Sequence, residues 1–143
     1  MSGFTLKIAE GLENNPDAKL IRENVFVYEQ GFEKEFDDID PKAVHCVVYG
    51  GGFPVAAGRM FNCDGQAHIG RIAVVKAYRG KKIGSTVVSA LEDYAKAHGY
   101  KETALSAQVR AKEFYQKLGY KEFGEEFFDE YCPHIMMKKI ISE

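Results

Sequence analysis

The segment AYRGKKIGSTVV, residues 77–88, sets three cations, Arg79, Lys81 and Lys82, around two glycines, Gly80 and Gly84. A β-branched run precedes it and a regular apolar pattern follows, so the charge falls where a strand hands over to a helix. The first turn of a helix leaves backbone N–H groups without partners, and the macrodipole adds partial positive charge there. Glycine lets an anionic oxygen approach the backbone closely. Residues 79–85, closing with Ile83, Gly84 and Ser85, thus suit an anion site, most naturally a diphosphate. A Walker A loop would need lysine before the hydroxyl residue, and Gly84 runs directly into Ser85. A dinucleotide fingerprint would need a third glycine and an earlier place in the chain. The competing reading, a solvated basic turn with a glycine-assisted helix start, stands beside the anion site on composition alone.

Other chemistry-bearing residues are sparser. His45-Cys46 and Cys63-Asp64…His68 could be drawn as metal ligands, but their spacing matches no zinc pattern. Strand alternation would also send His45 and Cys46 to opposite faces. The reading is therefore no metal, with small core residues instead. The three cysteines form no CxxC pair, which fits a reducing compartment. The acidic stretch Glu33–Asp40 either attracts a cationic amine or is a solvated loop. A formal net charge of −2 over 143 residues argues against nucleic acid as a partner. No apolar run reaches a membrane span, and MSGFTLKIAEG lacks a leader pattern, so a cytoplasmic protein with no membrane partner is expected.

These residues need elements to hold them. FTLKIA (4–9) alternates as a strand, and a helix over about 16–29 follows, with Asn15 as N-cap and Pro16 at its first position. Residues 43–61 read as a hairpin about Gly50-Gly51-Gly52, and 65–75 as a central strand. Ile83, Val87, Val88, Leu91, Tyr94 and Ala95 make one helical stripe that stops at His98-Gly99. A strand at 102–107, a short helix at 109–118 and two final strands complete the order βαβββαβαββ. This is an α/β (α+β) fold: a mixed, mostly antiparallel sheet of about seven strands with flanking helices, in one domain over residues 1–143.

Two motifs give this order a family resemblance. Arg79-Gly80-Lys81-Lys82-Ile83-Gly84 resembles the diphosphate loop of the GNAT superfamily of N-acetyltransferases. Gln108-x-x-Ala111-x-x-Phe114-Tyr115-x-Lys117-x-Gly119-Tyr120 is similar to its second signature. The stretches VFVYEQGFEKEFDDIDPKAVH, LSAQVRAKEFYQKLGY and CPHIMMKKI resemble the ElaA/YjcF-type branch, related to glyphosate N-acetyltransferase. Three positions depart from the pattern. Lys82 replaces the loop's middle glycine, which predicts an unstrained φ there. Gln108 replaces the usual asparagine, and an arginine of glyphosate N-acetyltransferase, which argues against a phosphonate acceptor. Tyr131-Cys132 stands where that branch has glycine and an aliphatic residue.

The resemblance implies acetyl-coenzyme A as co-substrate. Ile72, Ala73 and Val74 would pair with its pantetheine arm as an added strand would, and an N–H near Ala73 or Val74 would face the thioester carbonyl. Residues 79–85 would hold the diphosphate, with Gln108 and Phe114 as further contacts. Tyr115 matches the tyrosine that protonates the leaving thiolate, although Phe114 suits a buried aromatic position equally. His134 matches a histidine that serves as base, with His45 or a water chain as alternatives. Arg22, Glu29, Gln30, His45 and Arg71 are candidates for the acceptor pocket. The implied reaction is direct acetyl transfer to a small-molecule amine. A protein N-acetyltransferase and a non-catalytic acyl-coenzyme A sensor are the alternatives, and the resemblance leaves a homodimer open.

Overall fold

Alternation along Val44–Gly50 (β2) sends Cys46 and Val48 into one apolar layer and Val47 into another. The strand is buried on both faces because a helix covers each. A computed structural model describes residues 3–142; Met1 and Ser2, the start of the stretch read for a leader, and Glu143 lie outside the described residues. Around β2 run Phe4–Glu10 (β1), Phe53–Cys63 (β3), Gln66–Val74 (β4), Glu102–Gln108 (β5), Lys121–Asp129 (β6) and Cys132–Ile140 (β7). They form one seven-stranded sheet in the order β1-β2-β3-β4-β5-β7-β6. Only β4 and β5 pair in parallel, so β4 is central, as its apolar end predicts.

The first helix opens with Pro16–Arg22 (α1) and continues as a π-helical stretch over Glu23–Glu29. Its span matches the expectation from sequence, but its second half is wound wider, with the Gln30 N–H reaching the Val25 carbonyl. Asn15 stands at the N-cap of α1 as expected, but its side chain makes no capping hydrogen bond. Its side-chain amide instead donates to the carbonyls of Lys7 and His45 at 3.1 and 2.9 Å, tying the helix start to β1 and β2. Ala18, Ile21, Val25 and Phe26 pack against Val47, Ala57 and Ala73 on this side.

Helix Ile83–Ala97 (α2) covers the opposite side, where Ile83, Val87, Leu91 and Ala95 are fully buried against β2–β4. Gly99 ends it in the left-handed conformation the sequence requires. The short helix Lys112–Lys117 (α3) lies behind β5 and β7. Gly58 on β3 is dictated by packing: a Cβ there would sit 2.5 Å from Val87 Cγ1 and 2.7 Å from Ile72 Cδ1. Opposite it β4 bulges, with Arg71 at φ +53°, and the register shifts between Ala57 and Arg59.

Candidate functional site

The central strands part. β4 and β5 are paired only at Ala67–Thr103 and His68–Ala104; beyond these the sheet opens and the later residues of β4 face a cleft. The Val75 N–H is bonded to the Val55 carbonyl on β3, so alternation turns the Val74 peptide the other way, toward the opening. The Val74 carbonyl accepts a hydrogen bond from Arg79 Nε at 2.9 Å, on that open side.

The cleft, about 780 Å³, runs from this free strand edge to the start of α2. Ile72, Ala73 and Val74 form one wall, and Arg79, Gly80 and the residues from Lys82 to Ser85 form its end. Phe114 and Tyr115 on α3 close the other side. Lys81 is exposed and does not line it. Gly80 has φ +80° with open space where a Cβ would be, and Gly84 brings α2 so near α3 that a Cβ would stand 3.3 Å from Phe114.

Two residues of this loop differ from expectation. Lys82 is not unstrained: it takes φ +62° as the N-cap of α2, a left-handed conformation that costs a non-glycine residue roughly 1–3 kcal/mol. The reversal there turns the chain into α2, and the Lys82 carbonyl is held by the hydroxyls of Ser85 and Thr86 at 2.9 and 3.1 Å. Arg79 lines the cleft but does not stand free. Its two terminal nitrogens each donate to Glu29 at 2.6 Å, and each partner shifts the other's pKa, Glu29 downward and Arg79 upward.

A second cavity of about 280 Å³ adjoins the first on the β5–β7 side. Gln30, Ile72, Ala111 and Tyr115 belong to the walls of both. Burial pushes the Tyr115 phenol above its ordinary value, so the hydroxyl keeps its proton. Its ring is held edge-on by Phe114 at 4.9 Å and by Tyr120 at 6.0 Å, and Tyr120 is anchored through Thr103 and Glu92. His134 is buried beside Phe127 and Phe32, with Nδ1 2.9 Å from the Cys132 carbonyl. A carbonyl only accepts, so Nδ1 carries the proton and Nε2 is the acceptor in the neutral ring.

Of the residues expected to receive an acceptor, Gln30 and Arg71 line this cavity. Gln108 does too, rather than the larger cleft, donating to Gln30 at 2.9 Å and accepting from Arg110 at 2.6 Å. Glu29 is taken by Arg79. Arg22 and His45 lie elsewhere, a correction of the expectation. Arg22 is buried with Glu35 and Asp40 at 2.8 and 2.7 Å. His45 is fully buried against the Asp40 carbonyl at 2.9 Å, and burial lowers its pKa. The acidic loop is likewise not simply solvated: Glu35, Asp37 and Asp40 turn inward onto Arg22, Arg59 and Arg71.

Phe26, Phe32, Lys34, Ser106, Arg110 and Asp129 also line the cavity, and none of them was among the expected site residues. Tyr131, the departure from the branch pattern, donates to the Gln30 carbonyl and stacks on Phe32. Glu130 accepts from the amides of Glu33 and Lys34, so the turn after β6 straps the loop over the cavity. Among the described residues no group of His, Cys, Asp or Glu could hold a metal ion, and no helix is long and apolar enough to cross a membrane.

Comparison with known proteins agrees with this geometry. The model of the acetyltransferase (GNAT) domain matches residues 14–141. An uncharacterized N-acetyltransferase of Bacillus subtilis (strain 168), YjcF, is 41% identical over 135 residues, covering 92% of this chain and 96% of that one. Two crystal structures share the fold. One, from Lactobacillus plantarum and assigned as an N-acetyltransferase, has a TM-score of 0.88 at 26% identity, over 98% of this chain and 99% of that one. The other, Escherichia coli ElaA, has a TM-score of 0.84 at 25% identity, over 95% and 99%.

Proposed function

Because the chain belongs to the GNAT acetyltransferase family, we propose that it transfers an acetyl group from acetyl-coenzyme A to the nitrogen of a small amine within a ternary complex. The observation that carries this reading is the junction of two cavities at Tyr115, one long and ending at a basic helix start, one small and holding His134. The first suits the co-substrate. A free strand edge offers peptide groups to an amide-containing arm, and the leading N–H groups of α2 with Lys82 and Arg79 offer a diphosphate cradle. The cleft volume fits a ligand of that size class.

Acetyl-coenzyme A, when bound, supplies an activated thioester. The residues of this chain do the rest. An acceptor reaching the small cavity arrives as an ammonium and must lose a proton before it attacks. His134 Nε2 takes that proton, its tautomer fixed by the Cys132 carbonyl. The Val74 N–H, directed into the opening, stabilises charge on the carbonyl oxygen as the C–N bond forms. As the C–S bond breaks, Tyr115 gives its hydroxyl proton to the leaving sulfur. Acetyl passes to nitrogen, which then gives up its second proton and restores the Tyr115 hydroxyl, while the first proton leaves from His134 to solvent.

Two measurements test this. Acetyl-coenzyme A should raise the melting temperature by several degrees, as a ligand well above its Kd does. An amine panel should then release free thiol. No thermal shift overturns the co-substrate assignment, and a shift without thiol release from any amine leaves a binding protein instead.

A further inference from the structure

The walls of the small cavity carry more positive than negative charge. We infer that the acceptor is a small amine that also bears a carboxylate, held at the cavity mouth by Lys34 and Arg110 while its nitrogen lies toward Tyr115 and His134. This rests on the transferase reading above.

The charges decide the point. Five formally charged side chains other than the histidine line the cavity: Lys34, Arg71 and Arg110 against Glu35 and Asp129. Glu35 is already spent, since Arg22 and Arg71 hold its carboxylate at 2.8 and 3.1 Å. Lys34 and Arg110 form no ion pair among the described residues, and Arg110 is steered by the Gln108 side-chain oxygen at 2.6 Å. A guanidinium so oriented is suited to a planar carboxylate. Asp129 forms no ion pair among the described residues either, and it supplies the single negative group toward which an ammonium would turn. A zwitterion complements that pattern; a dication or a plain hydrophobic amine does not. The volume, about 280 Å³, limits the ligand to a compact molecule.

The acidic loop supports the same conclusion by elimination. Its inward carboxylates neutralise three arginines instead of forming a negative funnel, which leaves Asp129 as the one unpaired carboxylate lining the cavity, against Lys34 and Arg110.

The test uses paired primary amines, one of each pair bearing a carboxylate: glycine and glycinamide, β-alanine and propylamine, with 2-aminoethylphosphonate as the arm separating carboxylate from a larger oxyanion. Thiol release with acetyl-coenzyme A reads kcat/KM. The inference expects each carboxylate to exceed its neutral twin by tenfold or more. In the Lys34→Ala, Arg110→Ala double variant that ratio should collapse toward one, with unchanged thermal shift by acetyl-coenzyme A. Turnover with equal or reversed preference overturns the carboxylate and leaves the transferase standing. A phosphonate preferred over β-alanine overturns the carboxylate in favour of the larger anion. Should no amine turn over, calorimetry with β-alanine on the coenzyme-loaded protein decides. Saturable binding lost in the double variant upholds the anion site while the transferase reading falls, and absence of binding overturns the inference as well.

Discussion

Tyr115 and His134 reach the same cavity from α3 and β7, and their surroundings suit the opposite proton roles proposed for them. The Tyr115 phenol is desolvated and holds its proton; His134 has Nδ1 committed to a carbonyl and Nε2 left as acceptor. Replacing Tyr115 by Phe removes the hydroxyl while keeping the ring between Phe114 and Tyr120. General acids contribute about 10²–10⁴-fold, so kcat should fall by about 10² or more. The affinity for acetyl-coenzyme A should change by no more than about twofold, since the lost group acts in the transition state. Steady-state kinetics beside calorimetry check this, and an unchanged kcat would remove Tyr115 from the chemistry. The sequence could point to Tyr115 only by its place in a motif, because composition gives Phe114 an equal claim; the shared wall of two cavities separates them.

At the scale of elements, what repeats along the chain was readable and what depends on a meeting of distant segments was not. The stripe of α2 is periodic and reappears at the expected residues, and the first run of the expected hairpin forms β2. The bulge at Arg71 and the left-handed Lys82 have no such signature, because side-chain type there argues against the backbone adopted. The widened π-helical end of the first helix is equally silent in sequence, yet it brings Glu29 to Arg79. That ion pair engages the guanidinium at the end of the cleft in which the co-substrate is proposed to lie, so a bound diphosphate would compete with the Glu29 carboxylate for it. Both side chains are more than a third exposed, and such pairs contribute about 0–1 kcal/mol. Glu29→Gln should therefore tighten acetyl-coenzyme A by up to about fivefold. Arg79→Ala should weaken it. Calorimetry at low salt reads both; a Glu29→Gln variant that binds more weakly would make Glu29 part of the binding surface rather than a competitor.

Across the whole molecule, six charged residues scattered between positions 22 and 71 converge to fasten the loop from Glu33 to Asp40 onto the sheet. Nothing in a linear reading pairs Arg22 with Glu35 and Asp40, or Arg59 with Asp37, since the partners belong to different elements. Asp40 is the hub. Burial alone would raise its pKa, but the hydrogen bond and charge of Arg22, the Asp37 amide and Arg59 outweigh it and hold the carboxyl at about 2. A depressed carboxyl contributes stability in full above its unfolded value, near 3.8, and loses it as pH falls through the folded one. The difference corresponds to about 2 kcal/mol, lost between about pH 5 and pH 2. His45 adds a loss beginning near pH 6.5, because burial lowers its folded pKa and the unfolded imidazole takes the proton first. Glu35 acts in the opposite sense, its pKa being raised, and offsets part of the acid loss. Denaturant unfolding followed from pH 7 to pH 2.5 should show this decline. In Asp40→Asn the protein should be less stable at neutral pH, and its acid limb should be flatter. Carboxyl NMR of the unaltered chain gives an independent reading: an Asp40 midpoint near an ordinary aspartate value would show that the arginines do not hold this loop electrostatically, and the mouth of the small cavity would then owe its shape to the Glu130 and Tyr131 contacts alone.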